Sequence, residues 1–196
     1  MNLIAKLKLD RLFSSFDIYI SNTFPELPFE KLQWDDEFYS TLQELKNASD
    51  SKSLVESLNI FAKKITDHCK LNGYIFKVVL CDELPGSIVG YCNRIGLLNF
   101  EILIKKFDCS AMTYFSLVAH EFSHAYQLAN NHPFYNPKNM KASEKFTDYL
   151  LLYLGFEEEI IWGYSDFAIF KFSKLNYLQP FELEYGYRKL IKKLKK

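Results

Sequence analysis

The sequence predicts an α+β fold: a helical N-terminal third, a small mixed sheet of about three to four strands, and two further helices that hold the residues of chemical interest. Three observations carry this. Apolar residues recur at helical spacing through the first 72 positions, short β-branched and aromatic runs take over from Tyr74, and helical periodicity returns after Ser110. With 196 residues and 48% apolar content the chain can bury a full core. Residues 1–72 read as a helical region and 73–196 as the region bearing the site, together one compact domain.

The elements follow in order. Leu3, Leu7, Phe13, Phe16 and Ile20 mark a helix over residues 1–22, and Pro25 and Pro28 then punctuate a turn. A second helix is expected over about 29–47. Ser49-Asp50-Ser51 offers an N-cap region for a third, which should end near the Asn72-Gly73 pair because that pair tolerates the left-handed conformation. Tyr74 to Leu80 reads as a strand, Asp82 to Gly86 as a loop and Ser87 to Cys92 as a second strand. Asn93 to Gly96 turns the chain into a third strand, Leu97 to Ile104. Asp108 or Ser110 can cap a helix that runs to about Ala129, where Asn130-Asn131-His132-Pro133 stops it. A loop to Asn139 precedes a helix from about Ala142 to Leu154, ended by Gly155. Phe156 to Pro180 is aromatic-rich and expected to pack round the core, and a last helix covers about 181–194.

The chemistry concentrates in His120-Glu121-Phe122-Ser123-His124. Positions four apart lie one above the other on a helix, so both imidazoles can reach one metal ion about 2.0–2.1 Å away. Glu121 falls about 100° round the helix, where it can hold a water as general base without binding the metal. Phe115, Val118, Phe122, Ala125 and Ala129 form an apolar stripe, and the histidines fall opposite, beside Thr113, Ser116 and Gln127, facing away from the packing side. Downstream, Glu144 and Asp148 repeat the four-residue spacing. Two His and one Glu meet the need of a catalytic zinc for three protein ligands and an open position, and Asp148 can accept the spare N–H of a ligating His. His132 is a further candidate, as fourth ligand or substrate contact.

His120-Glu121-x-x-His124 with Glu144-x-x-x-Asp148 resembles the gluzincin group of zinc metallopeptidases, over about residues 113–155. The resemblance implies a zincin-like active-site helix and ligand helix, Zn²⁺ on His120, His124 and Glu144, Glu121 as general base and Asp148 as support. It implies an extended peptide or protein substrate paired to an edge strand, a place that Leu97 to Ile104 occupies here, with Leu98 and Asn99 against the substrate. It also implies a tyrosine that steadies the oxyanion, at Tyr135; Tyr126 is a second candidate for that hydrogen bond. Only 48 residues follow Asp148, too few for the large C-terminal domain of full-size members, so the comparison is with compact single-domain ones.

Composition bounds the rest. Lys+Arg and Asp+Glu balance at 24 each, which argues against a nucleic-acid footprint. The closing basic run from Arg188 is accounted for by cations at a solvated helix end. Cys69, Cys81, Cys92 and Cys109 show no C-x-x-C spacing and read as small buried hydrophobes. No apolar run suits a secretory leader or a membrane span, and cytoplasmic residence is the default. The function expected is peptide-bond hydrolysis by a zinc-activated water. The alternative is a latent or non-catalytic zinc-binding interaction protein.

Overall fold

A computed structural model describes residues 3–24, 27, 51–86, 88–134, 140–156 and 178–194. Among these are five helices, α1 (Leu3–Thr23), α2 (Ser51–His68), α3 (Ala111–Ala129), α4 (Met140–Tyr153) and α5 (Pro180–Leu194). Three strands, β1 (Ile75–Cys81), β2 (Gly90–Arg94) and β3 (Asn99–Lys105), make one sheet. The α+β class is as the sequence predicts. The helix expected at 29–47, the cap at Ser49 and Asp50 and most of the aromatic stretch after Phe156 lie outside the described residues.

The strand order is β1-β3-β2, with β1 parallel and β2 antiparallel to β3. This corrects the sequence reading, which put the third strand at the edge: β3 is central, and its backbone groups on both sides are taken by neighbours. One face of the sheet is apolar, because Phe76, Val78, Phe100, Ile102 and Ile104 alternate inward along their strands. Phe76 stacks on Phe100 at 5.1 Å and meets Phe122 of α3 at 4.9 Å, which ties the sheet to the motif helix.

Each edge strand is engaged by a side chain from a helix. On β1, Asn59 of α2 offers its amide to Val78, accepting from Val78 N–H at 2.9 Å and donating to Val78 C=O at 3.0 Å. That occupies the outward groups of Val78, in the middle of the strand. The edge of β2 is met by Glu121, described below.

Helix ends follow their local chemistry. Ser110 Oγ accepts the Thr113 N–H at 3.2 Å and so caps α3. At the end of α2, Lys70 takes the left-handed conformation (φ 54°), with Leu71 N–H bonded to Thr66 C=O. The helix therefore stops earlier than Asn72-Gly73, and Gly73 (φ 84°) serves the turn into β1 instead. Gly155 (φ 83°) ends α4, as its sequence position suggests. α5 opens with Pro180, and Glu182 accepts the Gln179 N–H at 2.8 Å, one half of a capping box.

Buried side chains from α1, α2, the sheet, α3, α4 and α5 form one cluster. α1 contributes Phe13 and Phe16, which pack on Tyr149 and Phe146 of α4. No helix among the described residues is long and apolar enough to cross a membrane. All four cysteines are free.

Candidate metal centre

α3 crosses the core between the sheet and α4, so it is buried nearly all round. The apolar stripe faces the sheet, and the polar face does not look outward as its composition suggested. It packs on α4, because α4 presents a matching polar row. Ser123 Oγ donates to Thr147 C=O at 2.9 Å, and Gln127 Nε2 donates to Thr147 Oγ1 at 3.2 Å. These buried hydrogen bonds set the depth and register of one helix against the other.

In that register His120, His124 and Glu144 converge. Their ligand atoms lie within 4.8 Å of one another, so the group could hold a metal ion. Glu144 Oε2 is 3.0 Å from His120 Nε2 and 3.5 Å from His124 Nε2. A tetrahedral ion with bonds of about 2.0–2.1 Å separates its ligand atoms by about 3.3–3.4 Å. The two distances to Glu144 bracket that value, and the third side of the triangle is at most 4.8 Å.

Each imidazole has its other nitrogen occupied. His120 Nδ1 lies 2.8 Å from Asp148 Oδ1, and His124 Nδ1 lies 3.4 Å from Thr147 Oγ1. Both contacts turn Nε2 toward Glu144. The second oxygen of Asp148 accepts the backbone N–H of Leu178 at 2.6 Å, just ahead of α5. Thr147 and the Leu178 N–H were not singled out from sequence. Thr147 sits one helical step from Asp148 and could have been found by extending the polar row of α4, whereas a backbone donor thirty positions away leaves no mark on composition.

The charges are strongly coupled. Burial works against the charged form of His120, but Asp148 and Glu144 outweigh it and push its pKa up to about 10. Burial likewise works against the Glu144 carboxylate, yet hydrogen bonds from both imidazoles hold it well below the usual range. For Glu121 burial prevails: its carboxyl is raised, although His124 and His120 pull the other way. Burial, with Glu121 as a lesser cause, also raises the Cys92 thiol well above its usual value.

Access differs across the cluster. His120 is fully buried and Glu121 is 4% exposed, while the side chains of His124 and Glu144 are 31% and 22% exposed. The open side of the centre is therefore the His124–Glu144 side.

Other candidates fall elsewhere. His132 lies edge-on to Phe24 and is not part of the ligand group. Tyr126 is two residues past His124, about 200° round the helix, and its ring packs into the core against Phe24. That removes it as an oxyanion donor. Tyr135 lies outside the described residues. Leu98 and Asn99 are at the far end of β3 from Ile104, whose partner Gly90 abuts Glu121. Five residues of strand, about 17 Å, separate Asn99 from that end. Ile75 N–H and Ile95 N–H already bond to Leu98 C=O and Asn99 C=O, so these two positions offer no free carbonyl beside Glu121.

Two helices thus define a candidate centre for a divalent metal ion. No protein-family model, curated protein or solved structure matches the chain.

Proposed function

We propose that the protein is a zinc-dependent metallopeptidase of the gluzincin kind, acting on extended peptide or protein segments. The observation that carries this reading is the convergence of His120, His124 and Glu144 ligand atoms within 4.8 Å of one another, with the Glu121 carboxylate beside them. The motif resemblance supplies the class. His120, His124 and Glu144 would hold Zn²⁺, which would supply an acidified water and a Lewis acid for a carbonyl.

The chain's own residues supply the rest. Asp148 and Thr147 keep the two Nε2 atoms turned inward. Glu121, with its raised carboxyl, takes a proton from the attacking water and returns it to the leaving amine. β2, and not β3, is the strand beside the reacting groups, because Glu121 rests on its outer edge.

The burial of Glu121 favours a second reading, a zinc-binding protein whose activity is latent. One experiment separates the two. Metal content is measured on protein purified without added zinc, followed by chelator-sensitive digestion of casein and a peptide library. Glu121→Gln should keep one zinc and lose turnover, and His124→Ala should lose the metal. Full cleavage by Glu121→Gln would refute the assigned base, and zinc without cleavage in the wild type would favour latency.

A further inference from the structure

The outer edge of β2 and the side chain of Glu121 fit each other in a way that the metal ligands do not require. Lys105 N–H bonds to Val89 C=O at 2.8 Å and Ile95 N–H bonds to Asn99 C=O at 3.0 Å. These set the parity of the antiparallel ladder: odd-numbered residues of this stretch bond to β3, and Gly90, Cys92 and Arg94 turn their N–H and C=O groups outward. The outward N–H of Cys92 donates to the Glu121 carboxylate. Two residues earlier, a Cβ on residue 90 would stand 2.5 Å from Glu121 Oε1 and 3.0 Å from its Cδ and Cγ. Atoms do not approach so closely, so any side chain at 90 would force the carboxylate to move.

We propose that Gly90 is a positioning residue for Glu121: its bare Cα and the Cys92 N–H form a notch on the edge of β2 that fixes where the carboxylate stands beside His120, His124 and Glu144. The glycine is needed for close approach and not for backbone freedom. Glu121 is 4% exposed, and both its Oε1 and its Cγ lie within 3.0 Å of the place a Cβ on residue 90 would take, so the shift involves the stem of the side chain as well as its tip. The catalytic consequence rests on the peptidase reading above. The contact itself does not.

A double-mutant cycle on thermal stability of the full chain tests the contact without reference to activity. Gly90→Ala should lower the melting temperature in the wild-type background and leave it unchanged or raised in the Glu121→Ala background, where the colliding atoms are gone. Equal losses in both backgrounds would overturn the proposal. Should Gly90→Ala alone fail to fold, recovery of folding in the double variant supports the notch and continued failure rejects it. Where the wild type cleaves peptide, Gly90→Ala should keep its zinc and its KM while kcat falls on the order of 100-fold, the effect of a displacement of about 1 Å. Unchanged kcat would reject the positioning role. An inactive wild type would remove the peptidase reading and leave the stability cycle to decide on Gly90.

Discussion

Asp148 does two things with one carboxylate. Oδ1 takes the Nδ1 side of His120 and Oδ2 takes the Leu178 N–H, both at hydrogen-bond distance inside a fully buried pocket. An amide at this position has a single acceptor oxygen and can serve only one of the two. Asp148→Asn should therefore weaken zinc binding about 10–100-fold, as loss of a partner behind a ligating His does. Competition titration with a chromophoric chelator reads this directly, and an unaltered affinity would mean that His120 is oriented by packing alone. The histidine pair, Glu144 and Asp148 were all legible in the sequence, because each pair sits four apart on one helix and that spacing has a fixed geometric meaning. Leu178 and Gly90 were not legible. One acts through a backbone donor that every residue but proline owns, and the other through a side chain it lacks.

Among the elements, α1 is held to the ligand helix by a polar network as well as by aromatic packing. Tyr149 and Tyr153 of α4 both donate to Asp17 Oδ1, Tyr149 at 2.9 Å, and Lys193 of α5 donates to Tyr153 at 3.2 Å. Burial raises both phenols well above their usual value, followed by the Asp17 charge for Tyr149 and by the hydrogen bond to Asp17 for Tyr153. The sign follows: groups whose folded pKa exceeds the unfolded value of about 10 stabilise the fold fully below that pH and lose their contribution as pH rises beyond it. The tyrosine contribution, read as the difference in urea midpoint between the wild type and Tyr149→Phe, should hold steady to about pH 9 and shrink above pH 10. The wild-type midpoint itself already falls from about pH 6.5, because His120 is raised to about 10. Asp17→Ala should cost about 1–3 kcal/mol at pH 7 by removing the shared acceptor. A variant as stable as the wild type would show that water takes over the acceptor's place. The same helix carries Glu144 and Asp148, so α1 braces the candidate centre from behind although none of its described residues belongs to it.

At the scale of the whole molecule, the centre joins α3, α4 and, through Asp148 and Leu178, the start of α5. A cation held across those helices stabilises the folded form in proportion to its occupancy. Zinc at about 100 times its dissociation constant should add about 2.7 kcal/mol, which for a chain of this size raises the melting temperature by about 5–10 °C. Scanning calorimetry with and without chelator measures it, and an absence of any shift would argue that the cluster binds no zinc in the folded protein.

Local pattern was enough to place most helices, to name the strands within a few residues and to pick out the candidate ligands, since side-chain period and four-residue spacing are properties of a chain segment by itself. Edge membership was misread because it depends on which strand's hydrogen bonds are already satisfied. β2 and β3 both alternate in a way that suits either position, and only their pairing made β3 central. The polar face of α3 was likewise read as outward until α4 supplied a second polar row to cover it. The contact between Gly90 and Glu121 belongs to the same class: it exists because a strand and a helix far apart in the chain are pressed to within an atom's width, a distance set by the packed core between them.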